Sequence, residues 1–322
     1  MPSSTVVTGG AGFIGRNTVA ALNERGVTDI LVVDSLGTDD KWQTLVGLTF
    51  DDIISPQAFL DRLNDGGGSA VTTIFHLGAC SATTETDADY LLENNYRYTR
   101  LLCEWALAHD VRFIYASSAA TYGGGELGFS DDDETTTRLR PLNMYGYSKQ
   151  LVDLWALRSG ALDAVVGLKF FNVFGPHEQH KGDMRSVVSK AYDEVGATGR
   201  LSLFKSYRDD YANGQQQRDF IYVRDAVDVM LFLADNPAVT GLFNCGSGTA
   251  RTWADLAAAV FAAMGLPPAI DYVDMPDGLR DRYQYRTEAP MSKLRNAGYD
   301  RPFRTLELGV SEYVKWLAGS RD

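Results

Sequence analysis

Thr5-Val6-Val7-Thr8-Gly9-Gly10-Ala11-Gly12-Phe13-Ile14-Gly15 is the stretch of sequence that decides the fold. It opens with β-branched residues, which predict a short buried strand, and continues with regularly spaced glycines, which allow a tight turn. A helix-like segment then runs to Gly26. Ile30-Leu31-Val32-Val33 predicts a second strand, which ends at Asp34. The order of strand, glycine turn, helix, strand and terminal acid predicts a βαβ unit.

Glycines spaced as Gly9, Gly12 and Gly15 let the backbone approach a pyrophosphate, and the helix after them offers unpaired N–H groups to phosphate oxygens. Asp34 lies 19 residues after Gly15, where an acid binds the ribose 2′-hydroxyl of a dinucleotide. An acid at this place favours NAD. Lys41 follows within a few residues and would suit the 2′-phosphate of NADP. The motif therefore predicts a dinucleotide site and leaves both cofactors open.

Tyr145 and Lys149 lie four residues apart, which places both side chains on one face if the segment is helical. An ammonium group beside a phenol favours the phenolate and lowers the pKa of the phenol. Such a pair predicts an acid or base that works near neutral pH. It gains weight because it follows the glycine-rich turn and Ser117-Ser118 in the chain.

Composition excludes several classes of function. The chain has 322 residues, a formal net charge of −12 and a pI of about 4.8. An acidic surface repels nucleic acid and anionic membranes, and no apolar run approaches the ~20 residues of a membrane span. No signal peptide is visible, and three scattered cysteines argue against a disulfide framework, so we expect a cytoplasmic location. His177, His180 and Asp183 form no larger ligand cluster, and we predict no metal site.

Strand-like and helix-like segments alternate along the chain. Further strands are predicted at residues 71–77, 111–116, 165–171, 219–223 and 242–245. This alternation predicts an α/β fold with a doubly wound parallel Rossmann sheet, whose ligands bind beyond the carboxyl ends of the strands. We expect residues 1–172 with 219–250 to form the dinucleotide-binding Rossmann domain. Residues 173–218 with 251–322 are expected to form a smaller C-terminal substrate-binding region.

The assembled motifs resemble the extended short-chain dehydrogenase/reductase family. The stretches that carry this resemblance are Gly9–Gly15, His76–Ala79, Ser117–Gly123 and Tyr145-x-x-x-Lys149. A second set resembles the branch of that family that epimerises C6 of ADP-heptoses. It comprises Gly78–Glu85, Glu93–Tyr96, Phe171–Pro176, His180–Gly182, Arg218–Phe220, Asp281–Gln284 and Gly298-Tyr299. The similarity runs over nearly the whole length.

The resemblance implies a specific reaction. The branch inverts C6 of ADP-D-glycero-D-manno-heptose to give the L-glycero epimer, for the inner core of lipopolysaccharide in Gram-negative bacteria. It implies a tightly held nicotinamide cofactor, usually NADP, that is oxidised and reduced within one cycle. Because both faces of one carbon are used, two acid/base groups are expected. A homo-oligomer, commonly a pentamer, is also implied.

The resemblance also assigns roles to four residues. Tyr145 and Lys181 are the expected acid/base groups, Lys149 is expected to lower the pKa of Tyr145 and hold the cofactor ribose, and Ser118 is expected to hydrogen-bond the reacting oxygen. Lys181 needs a lowered pKa, which burial or nearby positive charge supplies. Its alternative is a phosphate contact or a solvated loop lysine. The alternative for Ser118 is a turn or cap residue.

Two further sets of positions match the family's binding sites. The expected cofactor-binding residues are Gly9, Gly12, Phe13, Ile14, Gly15, Asp34, Ser35, Lys41, Leu77, Gly78, Ala79, Cys80, Ser81, Asn94, Lys149, Val173 and Lys181. The expected substrate residues are Ser118, Asn172, Asp183, Lys190, Phe204, Lys205, Ser206, Tyr207, Arg218 and Tyr283. Arg218 is expected to grip pyrophosphate oxygens in two places, the alternative being an ion pair with Asp219 or Asp225. Asp183, Lys190 and Leu77 depart from the family pattern and bear on sugar fit and cofactor preference.

Three related functions compete with this interpretation. A 4,6-dehydratase resembles this chain but carries an Asp-Glu pair where Ala119-Ala120 stand, so dehydration lacks its acid here. A C4 epimerase would keep Tyr145 without needing Lys181, and it stays open as the alternative. A non-catalytic dinucleotide-binding regulator would keep the glycines, but the presence of both Tyr145 and Lys149 favours an enzyme.

Overall fold

The computed structural model describes residues 4–280 and 283–319, so Asp281 and Arg282 of the quoted motif lie outside the described residues. The strands are β1 (Thr5–Thr8), β2 (Ile30–Val33), β3 (Asp52–Ile54), β4 (Thr73–His76), β5 (Arg112–Ser118), β6 (Val166–Phe170), β7 (Asn172–Phe174), β8 (Leu201–Phe204), β9 (Gln217–Tyr222), β10 (Gly241–Cys245), β11 (Ala250–Thr252) and β12 (Ile270–Val273). The helices are α1 (Phe13–Glu24), α2 (Pro56–Asn64), α3 (Ala88–Leu91), α4 (Tyr98–Ala108), α5 (Asp133–Arg138), α6 (Met144–Arg158), α7 (Val187–Thr198), α8 (Val223–Asp235), α9 (Trp253–Ala263), α10 (Asp277–Arg280), α11 (Ser292–Asn296) and α12 (Leu306–Gly319).

The main sheet has seven parallel strands in the order β10-β6-β5-β4-β1-β2-β3. From β1 the chain adds strands on one side and then returns to add β4 to β6 on the other. The strand order therefore reverses between β1 and β4, where ligands bind in such sheets. Thr8 lies opposite both Val33 and His76, so the carboxyl ends of these three strands are level. The predicted doubly wound Rossmann sheet is confirmed.

Both faces of this sheet are buried, as expected for parallel strands. Side chains alternate between two apolar clusters: Val7 and Val32 pack on one face, while Val6 and Leu31 pack on the other. Helices α1 and α8 cover the first face, and α2, α4 and α6 cover the second. The continuous runs of β-branched residues in β1 and β2 follow from this double burial.

A smaller body packs beside the sheet. Strands β11, β9 and β7 form a three-stranded sheet, and β12 pairs with β8. Their apolar residues join those of α7, α9 and α12 in a third cluster. Strand β9 connects the two bodies, because Ile221 packs with the main sheet while Phe220 and Tyr222 pack in the third cluster. The predicted division of the chain into two domains stays a prediction.

Two details differ from the sequence prediction. The strand predicted at residues 165–171 is confirmed as β6, but the next strand, β7, which joins a different sheet, was not predicted. The helix predicted at residues 90–109 is interrupted by a π-helical segment, Leu92–Arg97. No helix among residues 4–280 and 283–319 is long and apolar enough to cross a membrane.

Candidate active site

The glycine turn after β1 is too close-packed for side chains. Gly9 has a φ of +66°, and a Cβ there would lie 2.6 Å from the backbone nitrogen of Gly78. A Cβ at Gly15 would lie 2.1 Å from the carbonyl oxygen of Gly9. Gly12 begins α1 without a side-chain cap, and the first turn of that helix has no acidic residue. The N-terminus of α1 is therefore open to an anion, which fits the pyrophosphate of a dinucleotide.

A cleft of about 660 Å³ opens at the carboxyl ends of the strands, beside the glycine turn. Many residues predicted from the sequence line it. They are Gly9, Gly12, Phe13, Ile14, Gly15, Asp34, Lys41, Leu77, Gly78, Ala79, Cys80, Ser81, Ser118, Tyr145, Lys149, Asn172, Val173 and Lys181. Residues that are distant in the chain thus meet in one cleft.

At one end of the cleft, Asp34 is held by the protein through both carboxylate oxygens. Oδ2 accepts a hydrogen bond from the backbone N–H of Ala11 at 2.9 Å. Oδ1 accepts from the backbone N–H of Ser35 at 2.7 Å and from Nζ of Lys41 at 2.7 Å. Lys41 also donates to the carbonyl oxygen of Ser35 at 3.0 Å. Asp34 and Lys41 therefore form one ion-paired unit where the ribose of a dinucleotide would lie.

In the middle of the cleft, two side chains of α6 form hydrogen bonds with β5. Tyr145 hydrogen-bonds with the Ser118 hydroxyl, and one turn later Nζ of Lys149 donates to the carbonyl oxygen of Ala116 at 2.8 Å. Four helical residues rise about 6 Å and two strand residues span about 6.6 Å. The spacing between the two side chains on α6 therefore matches the spacing between their partners on β5. The helix begins at this register because Asn143 caps it, accepting from the N–H of Gly146 at 2.8 Å.

The electrostatics of this pair differ from expectation. Burial raises the pKa of Tyr145, and the hydrogen bond with Ser118 opposes that shift. Burial also lowers the pKa of Lys149 to about 8, with Asp153 acting in the opposite direction. The prediction that Lys149 lowers the pKa of Tyr145 is wrong in this structure, because desolvation of the phenol is the largest effect and the ammonium group binds Ala116.

Ser118 caps a turn, as its alternative role predicted, while its hydrogen bond to the reacting oxygen stays a prediction. Its hydroxyl caps the short 3-10 helix that begins at Ala119, accepting from the N–H of Ala120 at 3.1 Å. The same hydroxyl hydrogen-bonds with Tyr145. The turn therefore fixes the position of the hydroxyl beside the phenol.

Lys181 enters the cleft from the 3-10 segment Gln179–Met184. Burial lowers its pKa, and the carboxylate of Glu178 opposes the shift. Its Nζ lies 5.5 Å from the centre of the Phe13 ring, at the start of α1. Lys181 is thus half-buried beside the glycine turn, and the lowered pKa agrees with what an acid/base role needs.

Sequence reasoning missed Asn95. Its side chain accepts from the backbone N–H of Cys80 at 2.8 Å and donates to the Cys80 carbonyl at 2.9 Å and to the hydroxyl of Ser148 at 3.0 Å. It therefore joins α6 to the loop after β4. The neighbouring Asn94, predicted to bind cofactor, donates to Asn95 at 3.1 Å and does not line the cleft. The π-helical turn that orients Asn95 left no recognisable signal in the sequence.

Arg218 is buried close to two aromatic rings. Its guanidinium lies 5.0 Å from the centre of the Tyr283 ring and 5.7 Å from that of Trp253, which lines the cleft. Among the residues that the structure describes, it makes no ion pair, and Asp225 pairs with another arginine. Asp219 instead accepts several backbone N–H groups. The ion-pair alternative is wrong, and the guanidinium keeps its capacity to bind an anion.

The other predicted residues lie outside the cleft. Asp183 and Lys190 are exposed, and Phe204 is half-buried at the end of β8. Lys205 and Tyr207 both contact Asp274. The residues predicted for cofactor or substrate that do not line the cleft are Ser35, Asn94, Asp183, Lys190, Phe204, Lys205, Ser206, Tyr207, Arg218 and Tyr283. Their roles stay predictions.

Known proteins resemble this chain over nearly its full length. Residues 5–246 match the NAD dependent epimerase/dehydratase family. An ADP-L-glycero-D-manno-heptose-6-epimerase of Nitratidesulfovibrio vulgaris strain DP4 is 57% identical over 318 residues, with 98% of each chain covered. The enzyme of that name from Fusobacterium nucleatum is 44% identical over 327 residues, again with 98% of each covered. A crystal structure of the Helicobacter pylori enzyme of that name superposes with a TM-score of 0.82 at 25% identity, covering 98% of this chain and 97% of that chain.

Proposed function

Because the chain belongs to the NAD dependent epimerase/dehydratase family, we propose that it inverts C6 of ADP-D-glycero-D-manno-heptose to give the L-glycero epimer. The observation that carries the proposal is 57% identity, over 98% of the chain, to an enzyme named for this reaction. The cleft supports it, because a glycine cradle, the hydrogen-bonded pair of Tyr145 and Ser118, and a buried lysine line one space. The product would enter the synthesis of the lipopolysaccharide inner core.

The enzyme uses a nicotinamide dinucleotide, which when bound supplies the reversible oxidation of the carbinol. The residues around Gly9 and the N-terminus of α1 would hold its pyrophosphate, and Lys149 its nicotinamide ribose. We propose NADP rather than NAD. Both oxygens of Asp34 already accept hydrogen bonds from the protein. Lys41 then supplies a cation for a 2′-phosphate at the same place.

Tyr145 and Lys181 are the proposed acid/base groups. Burial raises the pKa of the phenol and lowers that of the amine, so the two environments push the groups toward different proton states. Tyr145 is suited to hold a proton near the sugar oxygen, and Lys181 is suited to accept one. A carbinol that exposes first one face and then the other needs such a group on each side. Ser118 would orient the oxygen beside Tyr145.

Arg218 is the proposed anchor for the nucleotide pyrophosphate. A buried guanidinium without a carboxylate partner is costly unless an anion completes its surroundings. The guanidinium lies 5.0 Å from the centre of the Tyr283 ring and 5.7 Å from that of Trp253, and its N–H groups would donate to phosphate oxygens. Within residues 4–280 and 283–319, the guanidinium donates a hydrogen bond to the backbone carbonyl of Gln217 at 2.8 Å.

The proposal is tested in two steps on the full chain. Mass spectrometry of the nucleotide released by denaturation identifies the cofactor, and NADP is expected. NMR of ADP-D-glycero-D-manno-heptose incubated with the protein is then expected to show the L-glycero epimer, with the Tyr145→Phe variant as control. UDP-glucose serves as the comparison substrate, since a C4 epimerase would convert it. Conversion of UDP-glucose without conversion of the heptose would overturn the assignment.

A homo-oligomer, with a pentamer expected by resemblance, and a cytoplasmic location also remain proposals. Sedimentation velocity of the purified chain measures the first. A monomer at micromolar concentration would contradict it.

A further inference from the structure

An ion pair with no solvent exposure lies behind the proposed active site. Nζ of Lys169 on β6 is 3.1 Å from Oδ2 of Asp153 on α6, and both side chains have 0% relative exposure. Lys169 also donates to the hydroxyl of Thr121 at 3.0 Å, and its ammonium lies 4.8 Å from the centre of the Tyr122 ring. The proposed reaction gives neither charge a role. An ion pair this deep is a weak source of stability, since desolvation offsets most of the attraction.

Asp153 accepts hydrogen bonds from the two β5 residues that flank Ala116, the residue to which Lys149 donates. Its Oδ1 accepts from the hydroxyl of Tyr115 at 3.0 Å, and its Oδ2 accepts from the hydroxyl of Ser117 at 2.7 Å. Between these two donors lies Ala116, whose carbonyl oxygen accepts the hydrogen bond from Lys149. The carboxylate therefore fixes the stretch of strand that positions the ammonium group.

Asp153 lies one helical turn after Lys149 on α6, and Tyr145 lies one turn before it. The three side chains at positions 145, 149 and 153 thus contact β5 in succession, at Ser118, at Ala116 and at the residues on either side of Ala116. Removing the last contact releases one end of this series. The effect on Lys149 is both positional and electrostatic, because the carboxylate favours its charged form.

We propose that Asp153 and Lys169 are positioning residues, which hold the ammonium group of Lys149 charged and in register with Tyr145. Lys169 neutralises the carboxylate of Asp153, which would otherwise be an unpaired charge in the interior. The role in turnover rests on the proposed function, whereas the effect on Lys149 itself does not.

The pH at which Lys149 titrates measures the effect of the Asp153–Lys169 pair on its ammonium group. The groups that face it are Asp153 and Tyr145 on α6, Cys80 in the loop after β4 and His76 on β4, with Lys169 on β6 behind Asp153. Burial lowers the pKa of His76 to about 3, so this ring stays neutral and does not titrate in the working range. The carboxylate of Asp153 is therefore the nearby charge that a substitution can remove without touching the cleft.

The test uses the double variant Asp153→Asn/Lys169→Met, which removes both charges and leaves none unpaired. Trace acetylation of the full chain at a series of pH values, with mass spectrometry of the Lys149 peptide, gives the midpoint of its titration without any turnover. We expect the midpoint to fall by about one pH unit. The alkaline limb of the rate of heptose epimerisation is expected to move by the same amount. Lys169→Arg, which keeps the pair, is expected to leave both unchanged.

The control removes a different ion pair, which is only partly buried, through Asp225→Asn/Arg304→Met. It is expected to lower the free energy of unfolding and to leave the Lys149 midpoint where it is. An unchanged midpoint in a folded Asp153→Asn/Lys169→Met protein would overturn the proposal and reduce the pair to a structural role. If the midpoint shifts in the double variant but the parent chain does not epimerise the heptose, the positioning role of the pair stands and the proposed function is overturned.

Discussion

The glycine cradle offers the sharpest test of the cofactor site, through Gly15→Ala. The added Cβ would lie 2.1 Å from the carbonyl oxygen of Gly9 and 2.8 Å from Cα of Gly10. The turn must move by about 1.3 Å before that contact becomes an ordinary van der Waals distance. Hydrogen bonds from backbone N–H groups to phosphate tolerate no such movement. Losing two charge-assisted bonds of about 1.5–3 kcal/mol each predicts about 10²- to 10⁴-fold weaker dinucleotide binding.

The assay is isothermal titration of NADP into nucleotide-free protein, with thermal unfolding measured in parallel. Gly196→Ala is the matched control, because Gly196 is also helical and its added Cβ would meet Met264 at a comfortable 3.9 Å. That variant is expected to bind NADP like the parent chain and to gain up to about 1 kcal/mol of stability. A folded Gly15→Ala protein with unchanged affinity would refute the assignment of the glycine turn to the phosphates.

Three further outcomes are expected. Tyr145→Phe is expected to lower turnover by about 10³-fold or more, measured by NMR of the heptose product, while dinucleotide affinity by titration stays the same. Lys181→Met is expected to be similarly impaired, and normal epimerisation by that variant would place the second acid/base group elsewhere. For Lys149 the folded pKa of about 8 lies below the ordinary 10.5, so the unfolded chain binds more protons between these values. The penalty for burying the charge is then full below pH 8 and is relieved as the pH rises to 10.5. Lys149→Met is expected to raise the free energy of unfolding at pH 7 by up to about 3 kcal/mol, an advantage that denaturant titrations should show shrinking above pH 8.

The dinucleotide half of the site was predictable because its signals are local. The spacing of Gly9, Gly12 and Gly15 encodes a backbone path that bulkier residues cannot follow, and that path was observed. Parallel strands bring their carboxyl ends together whatever their side chains, so the gathering of the segments after β1, β4 and β5 followed from strand order alone. The facing of Tyr145 and Lys149 followed from helical period in the same way.

Protonation states and the buried connections between segments were not predictable, because they depend on packing between distant parts of the chain. The pKa of Tyr145 was expected to fall beside an ammonium group, yet burial raises it. That burial comes from the fold around the phenol and has no local sequence signal. Asn95 was missed for a related reason: a π-helical turn rotates its amide toward Cys80, and a regular helix would have placed it elsewhere.

The residues proposed to bind the nucleotide sugar were also difficult to predict, because they come together only in the folded chain. Arg218 lies in β9, Trp253 begins α9 and Tyr283 follows α10, so the two rings near the guanidinium come from 35 and 65 positions further along the chain. Spacings of this kind have no period, and only the fold brings the three side chains together. What the sequence did contain was an arginine next to an aspartate, which suggested an ion pair that the structure excludes, since Asp219 is occupied by backbone N–H groups. Arg218 lies beside two aromatic rings and has no carboxylate partner among the described residues, and this supports the proposal that it binds the anionic group of a nucleotide-linked substrate.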